Sequence, residues 1–334
     1  MRTERFSVEL ARPLDTAAGT IESRTGYLVR TDDGTGLGEA TPLPGWTESL
    51  DECRAALDGG NPDGSTPAAR HGVSLARADA AARESGERLC DALAADAFSA
   101  PAADSVPVNA TVGDGSPEET ADAVRSAVEE GYDCAKVKVG ARDADADERR
   151  LRAARDAAGD SVELRADANG AWDAETAERM LDVAAELDYS YVEQPLPATE
   201  ATEHAALRGR GVGVALDESL STTTVSAVLD ADAADVLVCK PMALGGPDGT
   251  LAAVRRAREA GVECVVTTTI DAVVARLGAL HVAAAIPDAP ACGLATGSML
   301  ASDLAPDPAP VSEGRMGVPE GGGLGDALEP LYRP

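Results

Sequence analysis

The chain has 334 residues, with 58 acidic against 29 basic side chains and a net charge of −29 at pH 7. An isoelectric point near 4.3 argues against nucleic acid or an anionic membrane as a partner, because both require a positive face. Apolar residues make up 44% of the chain, which supports one large folded domain or two smaller ones rather than disorder. We therefore expect a carboxylate-rich surface, typical of halophilic proteins in cytoplasm at multimolar salt.

The cysteines and the N-terminus favour a cytoplasmic protein. Six cysteines (53, 90, 134, 239, 264 and 292) form no CxxC or Cys/His cluster, which favours buried free thiols over disulfides or zinc. The segment from Met1 to Arg5 opens no apolar signal core, and no window contains 18 consecutive apolar residues. We expect neither export by that route nor membrane insertion, and the sequence leaves a homo-oligomer open.

Residues 1–105 predict a small α+β unit, which we call the N-terminal unit. Strands at 5–10 and 26–31 flank a polar loop that runs from Arg12 to Thr25. A turn, a short strand and a Pro-rich bend occupy residues 34–46. Three helical patterns follow, separated by breaker residues between the first two, at 47–58, 67–83 and 86–97. A linker is predicted from Pro101 to Val106, where the character of the chain changes.

Residues 106–304 alternate between short apolar runs and amphipathic helices. The predicted strands are 106–111, 134–139, 162–167, 189–193, 212–217, 235–240, 263–268 and 291–295. Polar residues that close six of these strands recur every 23 to 29 residues, the length of one βα unit. Eight such units close most naturally into a (β/α)8 barrel, with a doubly wound open sheet as the alternative. The Pro/Gly-rich tail, residues 305–334, is expected to return to the N-terminal unit.

Three acidic residues end successive predicted strands: Asp167, Glu193 and Asp217. A single carboxylate in so acidic a chain usually belongs to a solvated surface. Three at the same phase of consecutive βα units would repel one another, and a hard divalent cation removes that cost. Carboxylate oxygens with no nearby histidine favour Mg²⁺, with Mn²⁺ as the alternative, over zinc.

The chain contains only three lysines, and its other 26 cationic residues are arginines. Lysine can be tuned to act as an acid or base, whereas arginine stays protonated. Lys136 and Lys138 lie on the second predicted barrel strand and Lys240 closes the sixth, so the lysines flank the predicted metal. A small-molecule carboxylate substrate held at the metal would present its α-carbon between them.

We therefore interpret Lys138 as the general acid/base. Lys240 is the opposing acid/base or an electrostatic stabiliser, and Lys136 is an accessory residue. A Schiff-base aldolase would need one lysine and no set of three carboxylates. A non-catalytic barrel stabilised by a metal would have no use for lysines that face the ion.

The motifs together resemble the enolase superfamily, muconate-lactonizing subgroup. The matching pieces, in family order and spacing, are Lys136-Val137-Lys138, Asp167-Ala168-Asn169, Glu193-Gln194-Pro195, Asp217-Glu218-Ser219 and Lys240-Pro241. That superfamily uses a Lys or His base together with Mg²⁺. The resemblance implies a modified barrel whose mouth is covered by a capping domain, built from residues 1–105 and the returning tail.

Within the subgroup the chain is most similar to the o-succinylbenzoate synthase family. The similar segments are residues 24–28 and 38–45 in the N-terminal unit, and residues 266–271 and 293–297 in the barrel. In the third of these, threonines and Asp271 stand where serines and glutamate are usual. The resemblance implies substrate contacts at Arg165, Asn169, Thr268, Thr269 and Gly293.

The activity implied by that resemblance is a dehydration in menaquinone biosynthesis. The substrate is 2-succinyl-6-hydroxy-2,4-cyclohexadiene-1-carboxylate and the product is 2-succinylbenzoate, reached through an enediolate. N-acylamino acid racemase, dipeptide epimerase and muconate cycloisomerase share the same lysines and metal ligands. They remain alternatives, because the motifs define the enediolate half-reaction and leave the substrate open.

The charge balance generates a prediction about salt. At 0.1 M salt the Debye length is about 10 Å, whereas at 1 M it is about 3 Å, so repulsion within the acidic surface grows on dilution. We expect a lower urea midpoint of unfolding in 0.1 M KCl than in 3 M KCl. Sucrose is the control, because it favours burial without screening charge. A recovery in sucrose equal to that in KCl would contradict the screening explanation.

Overall fold

An antiparallel sheet and three helices form the N-terminal unit. The computed structural model describes residues 1–16 and 19–333. The sheet has the order β1-β2-β3, with β1 at Arg2–Thr16, β2 at Gly19–Arg30 and β3 at Leu37–Ala40. The helices are α1 at Leu50–Gly59, α2 at Pro67–Ser85 and α3 at Leu89–Phe98. Ser49 and Glu52 form a capping box at α1, so the helix begins at Leu50 rather than at residue 47 of the predicted pattern.

The predicted loop from Arg12 to Thr25 was wrong over most of its length, because β1 and β2 continue through it. They pair antiparallel from Arg2 opposite Arg30 to Thr16 opposite Gly19, with one register shift. The far half of this ribbon is largely exposed, so its sequence lacks the apolar alternation by which a half-buried strand is recognised. Residues 17 and 18 of the predicted loop lie outside the described residues.

Seven parallel strands form a curled sheet in which each strand pairs with the next one along the chain. In chain order its strands are β5 (Ala110–Val112), β6 (Cys134–Lys138), β7 (Glu163–Asp167), β8 (Tyr191–Glu193), β9 (Gly213–Leu216), β10 (Val236–Cys239) and β11 (Glu263–Val266). The connecting helices are α4 (Pro117–Glu129), α5 (Ala144–Ala158), α6 (Ala174–Glu186), α7 (Ser219–Thr222), α8 (Val225–Asp230), α9 (Pro247–Glu259) and α10 (Val273–Ala285). The prediction of a parallel α/β sheet with alternating helices is confirmed.

Two predicted strands differ from the structure. The run 106–111 divides into β4 (Ser105–Pro107), which pairs with the tail, and β5, which joins the parallel sheet. Proline has no N–H for a continuous ladder, which favours the break after Pro107. The run 291–295 is not a strand. It contacts both edges of the parallel sheet by isolated bridges, Val108 to Cys292 at one edge and Thr267 to Gly293 at the other.

The tail pairs with segments far away in the sequence. Its elements are β12 (Val311–Ser312), β13 (Arg315–Gly317) and α11 (Glu329–Tyr332), and β13 pairs with β4. Asp79 of α2 accepts hydrogen bonds from the Tyr332 hydroxyl at 2.7 Å and the Leu324 N–H at 2.8 Å. The tail therefore contacts the N-terminal unit, while the domain boundaries at 105 and 304 remain predictions.

Buried polar contacts join the N-terminal unit to the parallel-sheet part of the chain. The Glu39 carboxylate of β3 is fully buried and accepts hydrogen bonds from Ala272 N–H at 2.9 Å and Ala275 N–H at 2.8 Å. Ala272 is the N-cap residue of α10 and Ala275 lies in its first turn, and a helix N-terminus favours a negative charge. Arg24 of β2 donates to the carbonyl oxygens of Thr41 and Pro42 within the same unit.

The cysteines and the helices of the described residues bear on disulfide bonds and on membrane insertion, respectively. All six cysteines belong to the described part of the chain and are buried, free thiols. Across residues 1–16 and 19–333, every helix is too short or too polar to cross a bilayer.

His281 makes the fold sensitive to acid. Its ring lies buried in α10, where Nδ1 accepts a hydrogen bond from the Cys90 N–H of α3 at 3.1 Å. Burial lowers the pKa of His281 from 6.5 to about 4. The unfolded chain therefore binds a proton that the folded chain excludes, so stability is lost as the pH falls from about 6.5 toward 4.

We predict that His281→Asn removes this part of the pH dependence, because the Asn oxygen can replace Nδ1 as acceptor and does not titrate. Between pH 7 and pH 5 the wild type should lose about 2 kcal/mol more free energy of unfolding than the variant. Urea denaturation in high salt at both pH values measures the difference. Equal losses in the two proteins would show that His281 does not control this range.

Candidate active site

The strand ends place the predicted lysines and carboxylates at one edge of the parallel sheet, which we call the mouth. Lys138, Asp167 and Glu193 are backbone partners at the same level of β6, β7 and β8. Asp217 and Lys240 are the first residues after β9 and β10. Because carboxyl ends of parallel strands meet at one edge, side chains from five consecutive strands are brought together.

Each lysine at the mouth is hydrogen-bonded to a carboxylate. Lys136 Nζ lies 2.8 Å from Glu193 Oε2 and 3.1 Å from Asp167 Oδ2. Lys138 Nζ lies 2.7 Å from Asp167 Oδ2, and Lys240 Nζ lies 2.6 Å from Asp217 Oδ2. The Lys138 side chain is 35% exposed, against 15% for Lys136 and 11% for Lys240. Lys138 is therefore the lysine most open to a small molecule.

Burial and ion pairing shift the pKa values of the carboxylates and lysines at the mouth in opposite directions. Burial raises the pKa of Glu193, and the neighbouring Asp167 raises it further. Burial also acts to raise the pKa of Asp167, but Lys136 and Lys138 outweigh it and hold that pKa well below its usual range. For Lys136, the two neighbouring carboxylates overcome burial and raise the pKa. Lys136 is therefore an ammonium that stabilises the carboxylates, and its accessory role in the reaction stays a prediction.

The donor set at the mouth suits a hard cation in its chemistry. Asp167, Glu193 and Asp217 offer only carboxylate oxygens, the ligands that Mg²⁺ prefers. Asp217 Oδ1 is buried and has no hydrogen-bond partner among the described residues. In the described part of the chain no three Asp, Glu, His or Cys side chains stand ready to chelate an ion, and lysine ammonium groups lie against these carboxylates. The metal-ligand assignment accordingly remains a prediction.

Of the predicted substrate contacts, Asn169 and the threonines lie beside the mouth. Asn169 Oδ1 accepts from Lys138 Nζ at 2.9 Å. Thr268 Oγ1 lies 2.9 Å from Thr296 Oγ1, and the Thr269 hydroxyl donates to the Asp271 carboxylate. Gly293 bridges to Thr267, where a Cβ would come within 3.0 Å of the Thr267 Cβ, so only glycine permits this approach.

The structure does not bring Arg165 to this group. Its side chain shares a face of β7 with Asp167 but lies one layer lower, and it is only 1% exposed. The guanidinium donates to Glu163 Oε1 at 2.7 Å and to the Ala291 carbonyl at 2.6 Å. Glu163 opens the strand at the edge opposite the mouth, so these hydrogen bonds lie within the sheet, and the substrate contact of Arg165 stays a prediction.

Three residues at the site had no assigned role in the sequence prediction. Glu218 Oε1 accepts from Asn169 Nδ2 at 2.8 Å, and burial raises its pKa. Gln194 is fully buried, and its Oε1 accepts from the Asp217 N–H at 3.1 Å, which positions that carboxylate. The Trp46 ring lies 3.3 Å from Lys240 Nζ, in a cation–π contact.

The signals for these residues differ in strength. Glu218 and Gln194 each follow a predicted metal ligand directly, so adjacency alone could have singled them out. Trp46 stands in the Pro-rich bend of the N-terminal unit, 194 residues before Lys240 in the sequence. No local spacing indicates that contact.

Residues 119–330 match the family described as "Enolase C-terminal domain-like", and the chain belongs to that family. The predicted membership of the enolase superfamily is thereby confirmed. Among curated proteins, the chain is 42% identical over 214 residues to the o-succinylbenzoate synthase of Thermobifida fusca, covering 63% of this chain and 65% of that protein. It is 38% identical to the o-succinylbenzoate synthase of Mycobacterium leprae, covering 62% and 61%. These matches span less than two thirds of the length of either relative.

Solved structures support the fold over nearly the whole chain. The L-Ala-D/L-Glu epimerase from Bacillus subtilis, in a substrate-liganded complex, aligns with a TM-score of 0.84 at 25% identity and 97% coverage of both chains. A dipeptide epimerase from Methylococcus capsulatus, complexed with Mg and the dipeptide L-Arg-D-Lys, aligns with a TM-score of 0.83 at 28% identity. That match covers 97% of this chain and 98% of the other.

Proposed function

We propose that this enzyme is an o-succinylbenzoate synthase, a lyase that acts in menaquinone biosynthesis. It would dehydrate 2-succinyl-6-hydroxy-2,4-cyclohexadiene-1-carboxylate to 2-succinylbenzoate. The observation that carries the proposal is the placement of Lys138 and Lys240 at two positions along the mouth, each anchored on a different carboxylate. The identity to curated o-succinylbenzoate synthases supports this substrate over others.

Lys138 is proposed to move the protons. As the free amine, its Nζ takes the proton from the ring carbon that bears the carboxylate, and the C–H electron pair enters the carboxylate to give an enediolate. Collapse of the enediolate then breaks the neighbouring C–O bond. The hydroxyl leaves on the same face and receives the proton from Lys138 as water. The ring becomes aromatic, so one acid/base group suffices for both transfers.

The other residues supply charge and orientation. Lys240 stays an ammonium on Asp217 and stabilises the enediolate, while Asn169 orients Lys138 Nζ. Asp167, Glu193 and Asp217 are the proposed ligands of Mg²⁺, or of Mn²⁺ as the alternative. When bound, that ion would supply positive charge beside the substrate carboxylate.

A racemase or epimerase activity is the second candidate, favoured by the similarity to the dipeptide epimerase structures. Such a reaction needs Lys138 and Lys240 as true acid/base partners on opposite faces of the α-carbon. In this structure Lys240 lies under the Trp46 ring and is 11% exposed, which fits a stabilising cation better than a proton carrier. The enediolate half-reaction is common to both candidates.

We predict that Lys138→Ala abolishes exchange of the substrate α-proton with solvent deuterium, which NMR in D₂O measures. Lys138→Arg should fail as well, because a guanidinium stays protonated and cannot act as a base. Circular dichroism and urea unfolding should show that both variants remain folded. An active Lys138→Arg variant would overturn the general-base assignment.

The substrate is tested with purified protein in high salt and Mg²⁺, by ultraviolet absorbance on the cyclohexadiene and by polarimetry on N-acylamino acids and dipeptides. We expect kcat/KM for dehydration to exceed that for any racemisation by at least about a hundredfold, or roughly 2.7 kcal/mol of transition-state preference. Treatment with a chelator should abolish turnover until Mg²⁺ or Mn²⁺ is returned. A higher kcat/KM on an acylamino acid or dipeptide would reject the synthase assignment and leave the enediolate chemistry in place.

A further inference from the structure

We propose that Arg150 and Asp147 of α5 are positioning residues for proton transfer, because they fix the strand end that carries Lys138. The inference rests on the proposed function, in which Lys138 Nζ must meet one substrate proton. Neither side chain is hydrogen-bonded to a lysine or carboxylate side chain of the mouth, and both are fully buried behind it. Their action would reach the substrate only through the backbone of β6.

The Arg150 guanidinium holds the ends of two neighbouring strands together. Its Nη1 donates to the carbonyl oxygen of Lys138 at 2.7 Å, and its Nη2 donates to the carbonyl oxygen of Gly113 at 2.7 Å. Lys138 is the last residue of β6 and Gly113 directly follows β5. A planar fork with fixed donor directions can hold two carbonyl groups at a set separation, which a lysine ammonium cannot reproduce.

Asp147 fixes the chain on the other side of Val139. Its Oδ2 accepts from the Gly140 N–H at 2.6 Å, and its Oδ1 accepts from Arg150 Nη1 at 2.9 Å. Gly140 has a φ of +89°, and a Cβ there would come within 2.7 Å of the Ala171 Cβ. The residues on both sides of Val139 are therefore held by one buried ion pair, and the direction in which Lys138 leaves β6 is fixed.

The energetics favour a positioning role over simple stabilisation. Removing two charges from water is unfavourable, and a well-packed apolar pair of similar size is often as stable or more so. What apolar side chains cannot supply is directed hydrogen bonds to the two carbonyl groups and the one amide. A displacement of about 1 Å at a catalytic group can cost about a hundredfold in rate.

Arg155 provides a matched control on the same helix. Its guanidinium also donates to backbone carbonyl groups, including Leu187 at 2.8 Å and Val162 at 3.0 Å. Val162 and Leu187 precede β7 and β8, so these contacts lie at the edge of the sheet opposite the mouth. Arg155 thus shares the guanidinium–carbonyl hydrogen bonds of Arg150, although it is only half-buried, and it makes them away from the strand end of Lys138.

The test compares Arg150→Lys with Arg155→Lys in the full-length enzyme, on whichever substrate of the panel the wild type converts. For Arg150→Lys we expect kcat and α-proton exchange to fall at least about tenfold, with KM within about threefold of the wild type. The primary deuterium isotope effect on kcat should rise, because proton transfer becomes more rate-limiting. Arg155→Lys should retain the wild-type kcat, even if its urea midpoint of unfolding falls as much as that of Arg150→Lys.

Asp147→Asn is the second variant and keeps the size of the side chain. It should lower kcat in the same direction, since one amide oxygen cannot replace both carboxylate oxygens. The inference is overturned if Arg150→Lys and Arg155→Lys lose kcat equally, or if Asp147→Asn keeps the wild-type kcat and isotope effect. If the wild type exchanges the α-proton of acylamino acids but does not dehydrate the cyclohexadiene, the synthase proposal is rejected. The positioning role of Arg150 and Asp147 is then still tested, because the variants are compared on the acylamino acid.

Discussion

Ionised side chains buried together at the mouth must neutralise one another, and this requirement organises the structure around them. Asp167 and Glu193 are each 1% exposed, so neither could remain charged there without a partner. Lys136 supplies a positive charge to both. Parallel strands meet this requirement efficiently, because each one brings its final side chain to the same edge at a fixed spacing.

Surface charges and buried charges in this protein are stabilised by different physical effects. The excess of acidic residues is a surface property, and its self-repulsion depends on the ionic strength of the solvent. The charges at the mouth are screened little by salt and depend on pairing instead. The distribution of cations follows this division, since all three lysines lie at the mouth and the arginines take the remaining positions, including the buried Arg150.

The accuracy of the sequence predictions depended on whether the signal was local. The phases of Lys138, Asp167 and Glu193 were predictable, because each ends an apolar run and the runs recur at the length of a βα unit. The ribbon of β1 and β2 was not, because an exposed strand has no apolar face to produce a pattern. The position of Arg165 below the mouth was not predictable for a related reason. Strand periodicity assigns a side chain to the inner face, but it does not say toward which end of the sheet a long side chain turns.

Contacts between distant segments account for the rest of the site and could not be read from spacing. Trp46 meets Lys240, and Glu39 meets the first turn of α10, across 194 and more than 230 residues of chain. The second contact gives the N-terminal unit a part in the architecture of the mouth. The helix that Glu39 caps follows directly on the segment that contains Thr268 and Thr269.

A fully buried carboxyl group that accepts hydrogen bonds from two amides of a helix N-terminus is costly to separate from them, because both amides and the carboxyl oxygens would lose their partners. The N-terminal unit is therefore fixed to the parallel-sheet part of the chain at the base of α10. The Trp46 bend lies at the other contact, directly over a lysine of the site. The N-terminal unit thus holds the N-terminus of α10 beside the mouth and also places the Trp46 ring against Lys240 at the mouth.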